Sequence, residues 1–118
     1  MGQSFKDLVV WQRAVQLCTD TYRLPASFPA SEQFGLSNQM RRASVSIASN
    51  IAEGWGRSTK GEYRLFLGHA RGSNCELQTQ LIIANSLGFG DKVQHEQIQK
   101  SSADVSRMLI ALISRLKE

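Results

Sequence analysis

Residues 36–54 read LSNQMRRASVSIASNIAEG, from Leu36 to Gly54, and this stretch decides the fold. Leu36, Met40, Ala43, Ile47 and Ile51 recur at steps of three and four, one stripe of a 3.6-residue period. Val45, Ala48 and Ala52 widen the stripe, so the helix is expected to be buried over much of its circumference. Beside the apolar stripe runs a polar one: Gln39, Arg42, Ser46, Asn50 and Glu53. A solvated face would be richer in Lys and Glu than in Ser, Asn and Gln. The composition therefore predicts a partly buried hydrogen-bond network to Ser73 and Glu76 of the following helix, with Arg42 facing Glu76. Its expected role is structural, fixing helix register. Gly54 and Gly56 should stop the helix, the first in a left-handed conformation.

Working outward, an upstream helix is predicted over Asp7–Leu24. Ser4 and Asp7 have capping-box spacing, and Leu8, Trp11, Val15, Cys18 and Tyr22 supply its stripe. Pro25 and Pro29 end it, and Pro25–Phe34 is the longest loop. Downstream, Thr59-Lys60-Gly61-Glu62 is a capping box. It opens a third helix that carries Tyr63, Phe66, Leu67, Ala70, Leu77, Leu81, Ala84 and Leu87 as far as Gly88. Gly72-Ser73 falls inside that helix and predicts a tight backbone crossing. A fourth helix spans Asp91–Leu116, with Asp91 as N-cap. Its first half, mostly polar over Gln94–Ser102, is expected to be the more exposed. The short Gly88–Gly90 connection makes helices three and four antiparallel neighbours. The expectation is an all-α, up-and-down antiparallel four-helix bundle forming one domain over residues 1–118, a length at which a single core is feasible.

Composition narrows function. The chain carries 14 Lys and Arg against 10 Asp and Glu, a formal charge of +4. The whole surplus lies in residues 38–72, where Arg41, Arg42, Arg57, Lys60, Arg64 and Arg71 oppose only Glu53 and Glu62. A basic segment suits a polyanionic partner. The N-terminus resembles no targeting signal, and no apolar run is long enough for a membrane span, so a cytoplasmic protein is expected. Cys18 and Cys75 each fall on a predicted apolar face and read as two buried thiols.

Chemistry is largely missing from the pattern. No Glu is followed three residues later by His, so the di-metal carboxylate pattern of bundles is absent. His69 and His95 have no metal-ligand partner at helical spacing and read as surface or boundary residues. Gly56-Arg57-Ser58-Thr59-Lys60-Gly61 begins like a phosphate loop, but Glu62 and Tyr63 stand where Lys and Ser or Thr are required. No metal, cofactor or catalytic residue is assigned.

The residues Phe5, Leu8, Val10-Trp11-Gln12 and Ala14, then Phe34-Gly35-Leu36, Gln39, Arg41-Arg42-Ala43, Ser46-Ile47 and Asn50-Ile51-Ala52-Glu53-Gly54, form a specific pattern. It continues through Gly56-Arg57-Ser58, Glu62-Tyr63, Phe66-Leu67, Gly72-Ser73 and Glu76-Leu77. This pattern resembles the four-helix bundle family of 23S rRNA-intervening-sequence proteins over nearly the whole chain. The resemblance implies a ring-like homopentamer. It also implies kinship with the basic accessory protein of diversity-generating retroelements, which binds nucleic acid and a reverse transcriptase. Ala48 departs from the family's usual proline, so a kink in the second helix is expected to be weaker here.

The expected function is a non-enzymatic, homo-oligomeric scaffold that binds RNA or DNA by charge. Arg41, Arg57, Lys60, Arg64 and Arg71 are the candidate phosphate contacts. Five copies would carry roughly +20, five times +4, enough to attract a polyanion at low salt. Trp11, Trp55 and Phe89 are expected to add apolar surface for self-association. The alternative is a protein-interaction module, a polymerase or reverse transcriptase partner, with incidental nucleic-acid binding.

Overall fold

The computed structural model describes residues 4–117. Helix α1 covers Val9–Arg23, α2 Leu36–Trp55, α3 Lys60–Ser86 and α4 Lys92–Leu116, with short 3-10 turns at Phe5–Asp7, Leu24–Ser27 and Ala30–Glu32. Each helix packs against the next and α4 returns to α1, which makes a square bundle whose most extensive contact is α2 on α3. The molecule measures 45 × 23 × 22 Å. Its long dimension is set by α3, since 27 residues at 1.5 Å per residue span about 40 Å.

The helix starts are chemically specified. Thr59 Oγ1 accepts from the Glu62 amide at 3.1 Å, and Asp91 Oδ2 accepts from the Gln94 amide at 3.0 Å. Both caps satisfy an amide that the helix itself leaves without a partner. Ser4 caps differently from expectation. Its hydroxyl accepts from the Lys6 amide, serving the 3-10 turn, and α1 starts two residues later than predicted.

The core is one column. Met40, Ala43, Ile47 and Ile51 of α2 meet Leu67, Ala70, Leu77 and Leu81 of α3, with Ala14 and Leu17 of α1 and Ile98, Val105 and Leu109 of α4, all essentially inaccessible. The α2 stripe is thus the predicted one at Met40, Ala43, Ile47 and Ile51, with Leu36 half-buried, but it is narrower than expected: Ala48 and Ala52 are half-buried and Val45 is exposed. The α1 stripe is not the predicted one: Val10, Ala14, Leu17 and Thr21 are buried, whereas Val15 and Tyr22 are exposed and Leu8, Trp11 and Cys18 are half-buried. Helix α1 has apolar residues on two adjacent faces. The small side chains of Ala14 and Thr21 occupy the side closest to its neighbours. Thr21 can be buried because its hydroxyl donates to the Leu17 carbonyl at 2.7 Å.

Neither Gly54 nor Gly72 has its expected role. Gly54 lies inside α2 and has no left-handed backbone; among the described residues only Gly88 and Gly90 do. A Cβ on Gly54 would stand 3.0 Å from Phe66 Cβ, 3.0 Å from Tyr63 Cδ1 and 3.2 Å from the Tyr63 carbonyl oxygen. The tight crossing of α2 and α3 is therefore here, not at Gly72, whose added Cβ would meet nothing within 4 Å. Gly54→Ala is expected to cost about 1–2 kcal/mol, because overpacking outweighs the gain in helix propensity. Chemical denaturation of the two proteins measures it, and a stabilised variant would show that the crossing is loose.

The aromatic residues expected at an interface are half-buried, each packing on another ring of the bundle. Trp11 stacks edge-on with Phe5 at 5.2 Å, Trp55 with Tyr63 at 6.3 Å, and Phe89 tilts against Phe28 at 5.7 Å. His95 is a further correction, being 2% exposed in the half of α4 expected to face solvent. Its Nε2 lies 2.7 Å from the Phe89 carbonyl oxygen, tying the first turn of α4 to the α3–α4 connection. Ile98 and Ser102 are buried in the same half.

Candidate nucleic-acid interface

The bundle's up-and-down path places the end of α2, the start of α3 and the end of α4 together. Five of the proposed or newly placed cations meet there: Arg57, Lys60 and Arg64, joined by Arg115 and Lys117. The Arg64 guanidinium donates to the Leu116 carbonyl at 3.0 Å, which binds α3 to the last turn of α4 and caps a carbonyl that has no helical partner. Arg64, Arg71 and Lys117 line one groove of about 690 Å³ between α3 and α4, with His69 on its edge. Arg71 lies two turns along α3 from Arg64, about 10 Å away along the axis.

Not every cation at this end is free. Arg57 pairs with Glu53 at 2.8 Å and lies over the Phe66 ring, 4.5 Å from its centroid. That pair is exposed, so it is worth little and is open to exchange with phosphate. Lys60 has no ion-pair partner among the described residues. The first turn of α3 adds a partial positive charge, although Glu62 occupies the same end.

Arg41 belongs elsewhere. It sits near the opposite end of α2, about 21 Å along the helix axis from Trp55, after which the turn carrying Arg57 begins. Its guanidinium donates to the Tyr22 carbonyl at 3.0 Å and lies 5.4 Å from the Tyr22 ring centroid, holding α1 against α2. The structure thus groups Arg57, Lys60, Arg64 and Arg71 and separates Arg41 from them. Arg115 and Lys117 were not singled out from the sequence. They lie some fifty residues from Arg64, and only the antiparallel pairing of α3 with α4 brings them near it.

The polar stripe of α2 is corrected. Gln39, Arg42 and Glu53 are exposed, as is Glu76, and Arg42 makes no ion pair with Glu76. Both residues line a shallow polar groove with Phe34, Asn38 and Ser46. What remains of the expected network is a half-buried link: the Ser46 and Ser73 hydroxyls lie 2.9 Å apart, and Asn50 donates to the Ser46 carbonyl at 2.8 Å. The stripe turns outward because α2 meets α3 along its buried Ala43, Ile47 and Gly54 side, most closely at Gly54, leaving long polar side chains at the rim.

The buried polar pair lies between α3 and α4. The Ser102 hydroxyl donates to Asn74 Oδ1 at 2.6 Å, and Asn74 Nδ2 donates to the Ser102 carbonyl at 2.9 Å, with both residues at most 1% exposed. Asn74 has no special sequence signature apart from falling on the apolar face of α3.

Among the described residues no three His, Cys, Asp or Glu side chains converge. Burial raises the Tyr63 phenol above its usual value of 10, with Arg115 partly opposing it, so this group is neutral at physiological pH. The thiols differ from expectation too. Cys18 is half-buried, with the Ser44 hydroxyl 3.3 Å away, and Cys75 is exposed. No helix among the described residues is long and apolar enough to cross a membrane.

Comparison with known proteins agrees with this architecture. No curated protein matches the chain. A solved structure from Bacteroides thetaiotaomicron, a protein of unknown function from the S23 ribosomal protein family, superposes with a TM-score of 0.80. It is 21% identical, and the alignment covers 89% of this chain and 98% of that one, a likeness that shows the fold. The profile of the 23S rRNA-intervening sequence protein family matches residues 6–111. Because that match takes in all of α1, α2 and α3 and most of α4, the chain belongs to the 23S rRNA-intervening sequence protein family.

Proposed function

We propose that this chain is a non-enzymatic, self-assembling scaffold that binds the phosphate backbone of nucleic acid through the basic end of its bundle. The observation that carries this function is the convergence at one end of Arg57 from the α2–α3 turn, Lys60 and Arg64 from the start of α3, and Arg115 and Lys117 from the end of α4. Contacts of this kind neutralise phosphates and release counterions, and they distinguish sequences poorly. Homopentamer formation, implied by the family resemblance, would repeat the basic end around one axis and multiply its field.

Replacing Arg57, Lys60 and Arg64 together by Ala tests this. Binding of RNA and of DNA should both weaken, by about tenfold or more at low salt, and the slope of log affinity against log salt should fall. Affinity and slope that match the parent protein would defeat the proposal. A folded protein with no nucleic-acid binding at low salt would favour the alternative, a module for a protein partner. That alternative draws support from the other end of the bundle, where Phe34 (86% exposed), Leu87 and Val93 leave apolar surface uncovered.

A further inference from the structure

The outer face of α3 carries a pattern that the monomer does not use. Leu65, Gly68, Gly72, Cys75, Thr79 and Ile82 follow one another at alternating steps of three and four, and all six are exposed. None is charged. A solvated helix face should be rich in charge, whereas a three–four repeat of uncharged residues is the seam of a helix that packs on another helix. The two central glycines weaken an exposed helix relative to alanine. Nothing inside the molecule explains them, since an added Cβ at Gly68 or Gly72 would meet no atom within 4 Å. They do permit another backbone to come close.

The charges beside the seam name the occupant. One flank carries Arg64, Arg71 and Gln78, and the other Glu62, His69 and Glu76. Arg71 and Glu76 are both exposed, and neither makes an ion pair among the described residues. When two such helices lie parallel and in register, the residue before the seam on one faces the residue five positions later on the next. Arg71 then meets Glu76 of its neighbour. In an antiparallel pair the basic flanks would face each other and so would the acidic ones. The seam is therefore complementary to itself in the parallel orientation alone. Because base lies on one flank and acid on the other, a parallel packing lets Arg71 of each copy face Glu76 of a neighbouring copy, so both flanks are satisfied.

We infer that copies of this chain assemble by packing α3 parallel to α3 along the Leu65–Ile82 seam, with Arg71–Glu76 ion pairs between copies. This rests on the self-assembly proposed above and adds where the copies touch and in which direction they run; since Leu65, Gly68, Gly72 and Cys75 line the same α3–α4 groove as Arg71, it assigns Arg71 and that part of the groove to contact between copies and leaves phosphate to the cations at the end of the bundle.

Light scattering on the full chain, with circular dichroism to confirm folding, provides the test. Glu76→Arg should weaken assembly by roughly a hundredfold or more, because it sets like charges opposite each other. The combined change Arg71→Glu with Glu76→Arg should restore it. Direction is read by Leu65→Cys in a background where Cys18 and Cys75 are Ser. A short thiol crosslinker should join two copies, because only a parallel packing brings the two position-65 thiols together; an antiparallel one sets each near the far end of α3. An oligomer indifferent to Glu76→Arg, or one in which position 65 cannot be linked, overturns the inference while self-assembly stands. A parent protein that is monomeric at micromolar concentration overturns both.

Discussion

Gly90→Ala is expected to destabilise the chain by about 3 kcal/mol, the sum of a left-handed backbone penalty and overpacking. Gly90 has φ +92°, a conformation that side-chain-bearing residues rarely adopt. A Cβ there would lie 2.8 Å from Phe28 Cε1, 3.0 Å from His95 Nε2 and 3.0 Å from Leu24 Cδ1. These atoms come from the α1–α2 loop and from α4, so the clash loosens the contact that joins the bundle's two loops at one end. His95 is tied to Phe89, and Phe89 packs on Phe28, which leaves no side chain free to yield. Gly88→Ala is the control. It shares the left-handed backbone, at φ +74°, but meets no neighbour within 4 Å, so it should cost about 1–2 kcal/mol. Urea denaturation of both variants separates backbone strain from packing. Equal losses would mean that the Gly90 contacts relax without cost.

Asn74→Ala should cost about 2–3 kcal/mol, because it strands the Ser102 hydroxyl in a site closed to water. The fuller expectation concerns the pair. Changing Asn74 to Leu and Ser102 to Ala together removes both polar partners and fills much of the space, so the double variant should lie within about 1 kcal/mol of the parent. The losses of the single changes Asn74→Leu and Ser102→Ala should then sum to more than that of the double one, the non-additivity of residues that share hydrogen bonds. A double-mutant cycle by denaturant titration measures this. Purely additive losses would show that Asn74 and Ser102 contribute independently and that their hydrogen bonds do not hold the α3–α4 register.

The corrections share a cause with these predictions. Periodicity detects an apolar face, but it does not say which of two adjacent faces turns inward. Helix α1 offered Leu8, Trp11, Val15, Cys18 and Tyr22 on one side and Val10, Ala14 and Leu17 on the next. The bundle buries the second, where small residues allow neighbours to come close. The same ambiguity affected the glycines. Gly54 and Gly72 both weaken a helix, yet only Gly54 has another helix against it. Composition likewise identified a stripe in Gln39, Arg42, Ser46, Asn50 and Glu53 whose Ser and Asn are drawn toward α3 while its ends face water.

What the sequence determined by itself is local or periodic. Thr59 and Asp91 start helices because their side-chain oxygens can accept an otherwise unpaired amide, and that needs only the next three residues. Met40, Ala43, Ile47 and Ile51 face inward because their helix has one dominant apolar stripe, and the long α3 with its short turn into α4 follows from the same spacing. Tertiary structure alone decided which cations share a surface. Arg41 and Arg42 are neighbours in sequence, but one clamps Tyr22 and the other points to solvent. Arg64 and Lys117 are far apart in sequence, but they line one groove. Charge proximity is set by how antiparallel helices return on one another, and that depends on the whole core.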